Sequence, residues 1–131
     1  MYTMIEIPES HRDLLQVPVV VLATRGADDF PQVSAVWFVI EGDTIVMSLN
    51  TTRQKVKNLR HHPECTLFFI DPASPYRTLE IRASAEIDPN AEGRVTAGVN
   101  EKYGVDVRQN DGPGETRVAV SFHPVKLNTW G

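Results

Sequence analysis

Arg53, Lys55, Lys57 and Arg60 fall within eight positions of the stretch TTRQKVKNLRHHP, residues 51–63, which contains no acidic residue. They are four of the thirteen basic residues in a 131-residue chain of formal net charge −4, so the remainder holds nine basic against seventeen acidic side chains. Cations gathered without acidic partners suit the binding of an anion. Asn50, Thr51 and Thr52 are all N-cap types and Pro63 is a stop signal, so the spacing predicts a helix that runs to His61 or His62. On that helix Val56 and Leu59 share the buried face. Arg53, Lys57 and Arg60 form one exposed stripe at i, i+4 and i+7, and Lys55 points to a neighbouring side. Cations in the first turn oppose the helix macrodipole at about 0.3–1 kcal/mol each. A phosphate at the helix N-terminus would reverse that cost, because free N–H groups, the dipole and the Arg53 and Lys55 side chains would converge on it. The competing reading is a solvated basic face; the missing acids and the wrong-end placement of Arg53 and Lys55 favour the phosphate site.

The remaining residue types offer less chemistry. His61 and His62 are adjacent, so on a helix they diverge by roughly 100° and suit capping or solvent better than a shared metal. His123 precedes Pro124 with no evident acidic or cysteine partner in the sequence. Cys65 is the only cysteine and lies in an apolar context, which excludes an intrachain disulfide and suggests a buried thiol. Phosphate-loop, dinucleotide-fingerprint and serine-hydrolase templates find no match, and DGPG at 111–114 reads as a turn. Trp37 and Trp130 would suit stacking on a ligand ring or packing in a core. The acidic total argues against general nucleic-acid affinity. No apolar run approaches a membrane span, and the start of the chain does not resemble an export signal, so a cytoplasmic protein is expected.

The elements that must position these residues read mainly as strands. At 131 residues the chain has the size of one domain. Ser10 with Asp13 suggests a capped helix over 10–16. VVVLATR (19–25), PQVSAVWFVI (31–40) and TIVMSLN (44–50) predict a meander of antiparallel strands separated by GADDF and EGD. CTLFFID (65–71) follows as a buried strand and DPASPYR as a loop. LEIRASAEI (79–87) alternates Leu79, Ile81, Ala83, Ala85 and Ile87 against Glu80, Arg82, Ser84 and Glu86. A helical stretch covers 90–103, a loop 108–116, and two strands, RVAVSFH and VKLNTW, close the chain. The expected class is mostly β, or α+β, with a barrel architecture.

Taken in order, LAT, PQVSAVWF, the strand after EGD, and the pattern Thr51, Arg53, Lys55, Asn58, Leu59, Arg60 and Pro63 resemble the pyridoxamine 5′-phosphate oxidase-like split β-barrel family. PYRTLEIRASAEI and EKYG extend the similarity over nearly the whole chain, and the nearer likeness is to the actinobacterial branch that uses the deazaflavin coenzyme F420. The resemblance implies one FMN-binding-like split barrel over residues 1–131, paired as a homodimer with the cofactor in a groove between subunits. It implies that Ser34, Ala35, Val36 and Trp37 lie along the ring and that Ser48, Leu49 and Asn50 border the ribityl chain. Arg53 and Lys55 would hold the phosphate, with Asn58 in the same motif. Lys57, Arg60 and Arg77 would suit the carboxylates of the deazaflavin tail, and Thr78 begins the next cofactor-facing strand. Ala83 departs from the pattern, which leads one to expect glycine there.

The activity so implied is hydride transfer between F420 and a small unsaturated substrate, with no proton donor marked by the sequence; Tyr76 and Tyr103 are the side chains that could serve. An FMN-dependent oxidoreductase and a non-catalytic F420 carrier are the alternatives, and no nucleic-acid or membrane partner is expected.

Overall fold

β-branched and aromatic runs punctuated by turn residues form seven strands: β1 (Val20–Arg25), β2 (Pro31–Val36), β3 (Val39–Glu41), β4 (Thr44–Asn50), β5 (Glu64–Asp71), β6 (Ser74–Asp88) and β7 (Arg117–Trp130). Among the described residues two α-helices join these strands, α1 (Gln54–His61) and α2 (Glu92–Tyr103). The computed structural model describes residues 6–131. Part of the N-terminal stretch read above for an export signal, residues 1–5, lies outside the described residues. The strands make one antiparallel sheet in the order β2-β1-β5-β6-β7-β4-β3. Leu22, Val36, Met47, Leu67, Ile81 and Val120 come from six of these strands yet belong to one buried cluster. The sheet is therefore curled around a single core, as a split barrel.

A second apolar cluster lies on the other side of β4. Val95 and Val99 of α2 pack there with Val39, Val46 and Ala119. This accounts for the unbroken burial of β4 from Ile45 to Asn50, since one face meets the barrel core and the other meets α2. Gly104 ends α2 in the left-handed conformation, φ 68°, and donates its N–H to Asn100 O. Gly42, φ 60°, serves the two-residue turn between β3 and β4.

Several sequence expectations need correction. The apolar run 31–40 is not one strand: it breaks at Trp37 and Phe38, so that β2 pairs with β1 while β3 pairs with β4. The three early segments accordingly do not form a simple meander, because β4 lies beside β7. Residues 10–16 belong to a 3₁₀ helix, Glu9–Gln16, with Pro8 at its N-cap; the Ser10 hydroxyl bonds His11 Nδ1 instead of capping. Part of the supposed loop DPASPYR is strand, since β6 starts at Ser74. The two closing strands are one, β7, carrying a bulge: Arg82 pairs with Lys126 but Ala83 with Pro124, which leaves Val125 extra and exposed. Periodicity alone does not reveal that such an interruption continues the same ladder.

Candidate anion and cofactor site

The chain leaves β4 through an Asx turn. Asn50 Oδ1 accepts from the Thr52 amide at 2.9 Å and from the Thr52 hydroxyl at 2.7 Å, while the Arg53 amide donates to the Asn50 carbonyl at 3.1 Å. The N-cap of α1 is Arg53, whose side chain makes no capping bond, and not Asn50, Thr51 or Thr52. Arg53 O accepts the Val56 amide, so the amides of Gln54 and Lys55 in the first turn have no intrahelical partner. At the other end His62 N–H donates to Asn58 O at 2.7 Å, just before Pro63.

Val56 and Leu59 bury the apolar face of α1. Asn58 is buried with them. Its Nδ2 donates to Thr24 Oγ1 at 3.0 Å and its Oδ1 accepts from Gln54 Nε2 at 2.8 Å, while Thr24 Oγ1 donates to Gln32 Oε1 at 3.1 Å. This chain of side chains joins α1 to β1 and β2 and fixes the height of the helix on the barrel. The sequence reading assigned Asn58 to the cofactor and missed the network. Its signal was the polar side chains Thr24 and Gln32 at positions that alternation assigns to the inner face.

The cationic face is thus held outward. Arg53, Lys57 and Arg60 are exposed and Lys55 is half-buried. Every arginine outside this segment has a carboxylate partner: Arg12, Arg25, Arg77, Arg82, Arg94, Arg108 and Arg117. Among the described residues neither Arg53 nor Arg60 has one, and Lys55 and Lys57 form no ion pair either. Burial, and then the Arg53 charge beside it, push the Lys55 ammonium below its usual range. Two cations without ion-pair partners, whose charges repel, stand next to unsatisfied helix amides, an arrangement that suits a bound anion.

One wall of this region is the segment before β7. The Thr51 amide donates to Thr116 O at 2.9 Å. Asn50 Nδ2 reaches both Asp111 Oδ1 at 3.0 Å and Glu115 Oε1 at 3.1 Å. Arg117, nearly buried, grips Asp111 through Nε and Nη2, each at 2.8 Å. The opposite wall is the β1–β2 loop, where Gly26, Phe30, Gln32, Gln54 and Asn58 line a groove of about 440 Å³.

The other expected site residues are less tightly gathered. β2 carries Ser34 to Val36 away from α1 along the barrel: Ala35 is exposed, Val36 is buried, and Ser34 Oγ is buried without a hydrogen-bond partner. Trp37 already stacks on Tyr103, with centroids 4.3 Å apart and planes 6° from parallel. Ser48 turns its hydroxyl to Thr96 Oγ1 at 2.7 Å and Leu49 packs in the core. Arg77 is bound to Asp13, Asp71 and the Ser10 carbonyl, and Thr78 pairs with Ile70 and Trp130. Both lie at the far end of β5 from α1, roughly 25 Å away along the strand. His123 meets Glu86 at 3.1 Å, an acidic partner that the sequence did not show.

The pyridoxamine 5′-phosphate oxidase family profile matches residues 7–131. The chain belongs to this family. Among solved structures, an F420 reductase shares 32% identity, with a TM-score of 0.78 over 93% of this chain and 98% of its own. A conserved hypothetical protein from Mycobacterium tuberculosis is 25% identical, with a TM-score of 0.77 over 96% of this chain and 86% of its own. A heme storage protein from Vibrio cholerae, 19% identical with a TM-score of 0.76 over 97% and 96%, shares the fold. No curated protein matched the chain.

Proposed function

We propose that this member of the family is an F420-dependent oxidoreductase acting on a small unsaturated organic substrate. The observation that carries the reading is the pairing pattern of the arginines. Elsewhere in the described chain each has a carboxylate, whereas Arg53 and Arg60 stand unpaired with Lys55 and Lys57 on one helix. Arg53, Lys55 and the amides of Gln54 and Lys55 would hold the cofactor phosphate. Lys57 and Arg60 continue the positive surface beyond the position of a single phosphate, which suits the carboxylated tail of F420 better than the terminal phosphate of FMN. The similarity to an F420 reductase points the same way.

When bound, the deazaflavin supplies a hydride from its C5. The chain's own residues position it: Asn50 shapes the turn into α1, and the Asn58–Thr24–Gln32 bonds set the helix against β2. The site takes a second copy to complete. Ala35, Val21 and Phe68 align across three strands on the outer sheet face, as do Val33, Ala23 and Thr66, and Val33 is 59% exposed. Such an apolar face fits a homodimer. Thr78 lies on that same face through its pairing with Ile70, so a second copy is its route to the cofactor. Arg77, held by two carboxylates, is left out of the proposed site.

The test is fluorescence titration of the purified protein with F420 and, separately, FMN. Micromolar or tighter F420 binding with weak FMN binding is expected. The reverse preference would reassign the protein to FMN chemistry, and binding of neither would overturn the cofactor site. Turnover of reduced F420 with a panel of enones and quinones separates an enzyme from a carrier.

A further inference from the structure

A carboxylate without a cation of its own stands beside the proposed phosphate position. Glu115 Oε1 accepts from the Gly112 amide at 2.6 Å and from Asn50 Nδ2 at 3.1 Å, both neutral donors. The same Asn50 bonds the Thr52 amide through Oδ1 and the Arg53 amide through its carbonyl. One side chain therefore separates Glu115 from the start of α1. The neighbouring Asp111 differs, because its charge is matched by the Arg117 guanidinium at 2.8 Å. The Thr51 and Thr116 hydroxyls, 2.8 Å apart, fasten the segment that bears Glu115 to the segment that bears Arg53. The hydrogen bonds from Gly112 and Asn50, and then the nearby Arg53 charge, hold the Glu115 carboxyl below its usual range. Glu115 is thus negative at neutral pH, with Arg53 nearby but no ion pair of its own among the described residues.

We infer that Glu115 biases the site toward a phosphodiester and against a terminal phosphomonoester. A diester carries one negative charge, whereas a monoester carries about −1.5 to −2 near neutral pH. Arg53 and Lys55 attract both forms. Glu115 repels each in proportion to its charge and so removes part of the advantage that the second charge would have. The inference rests on the cofactor reading above, since it takes the start of α1 as the phosphate position, and Glu115 narrows the electrostatic advantage that the terminal phosphate of FMN would otherwise hold over a diester-linked cofactor such as F420.

The experiment compares FMN with its phosphate methyl ester, riboflavin 5′-methylphosphate, which keeps the ring and ribityl chain and lowers the phosphate charge; the added methyl group is common to wild type and variant and cancels in the comparison between them. F420 is titrated alongside, in the wild type and in Glu115→Gln. The glutamine keeps an oxygen acceptor for Gly112 and Asn50, so the loop is retained. Removing the charge should tighten the methyl ester and F420 roughly threefold and FMN roughly tenfold, the larger factor being about the square of the smaller. Glu115→Ala should move the FMN-to-ester ratio in the same direction. If the ratio is unchanged in both variants while all three ligands still bind, the charge bias is wrong and the cofactor site stands. If the wild type binds none of the three at micromolar concentration, the inference falls together with the site.

Discussion

At the scale of single residues, the positive charges of α1 are arranged against the stability of the free protein. Arg53 and Lys55 sit at the helix end that prefers anions, and Lys55 is partly desolvated beside Arg53. The charged form of Lys55 is less favoured in the folded chain than in the unfolded one. Its penalty is present at neutral pH and fades as the pH rises through the lowered folded value. Lys55→Ala and Arg53→Ala should therefore leave the melting temperature of the free protein unchanged or slightly raised. Each should weaken F420 binding by roughly 1.5–3 kcal/mol, the worth of a charge-assisted bond to phosphate. Paired calorimetry and ligand titration check this, and a variant that loses both stability and affinity would mark a structural role instead. The types and spacing of these cations were legible in the sequence. The missing counter-charges were not, because whether an acid reaches Arg60 depends on which loops the fold brings near it.

At the scale of elements, the segment 111–117 behaves as a clamp between β4 and β7. The Arg117 hydrogen bonds, above all, hold the Asp111 carboxyl below its ordinary value of 3.8, with Asn50 adding to the effect. A lowered folded value means that the stabilisation is complete well above pH 3.8 and is lost as the pH falls through the folded value. Asp111→Asn should thus be less stable than the wild type by about 2 kcal/mol at pH 7. That is less than the 3–5 kcal/mol of a deeply buried pair, because this one keeps an edge in solvent. The gap should close below pH 3.8, as urea denaturation at several pH values would show. Composition identified 108–116 as a loop, but its ties to Asn50 and Arg117 span the sheet and have no local signature. The strands were more legible, as in the alternation of β6, where Leu79 and Ile81 are fully buried. The split of 31–40 into β2 and β3 was hidden because both pieces are apolar and nothing local marks the change of partner at Trp37.

For the whole molecule, the surface that asks for a partner is the apolar outer face of β2, β1 and β5, where Val33 and Ile70 are exposed and Phe68 half-exposed. A homodimer through that face predicts that Val33→Glu, with no core contact to lose, yields a folded monomer in sedimentation velocity. It should also weaken F420 binding in parallel if the cofactor lies between subunits. A dimer that survives the substitution would place the interface elsewhere.

The break between β2 and β3 leaves backbone groups that no strand can satisfy, and α2 supplies the answer from its C-terminal turn. The Phe38 amide donates to Tyr103 Oη at 3.2 Å, Tyr103 donates in turn to Pro18 O at 2.8 Å, and Lys102 Nζ takes the Phe38 carbonyl at 2.7 Å. Solvent deuterium can reach the Phe38 amide when this turn lifts, without the barrel unfolding. Tyr103→Phe should accelerate exchange at Phe38 by an order of magnitude or more while leaving the β5 and β6 amides slow. The Phe38 amide is in this way a built-in clock for how often the last turn of α2 lifts from the junction of β2 and β3.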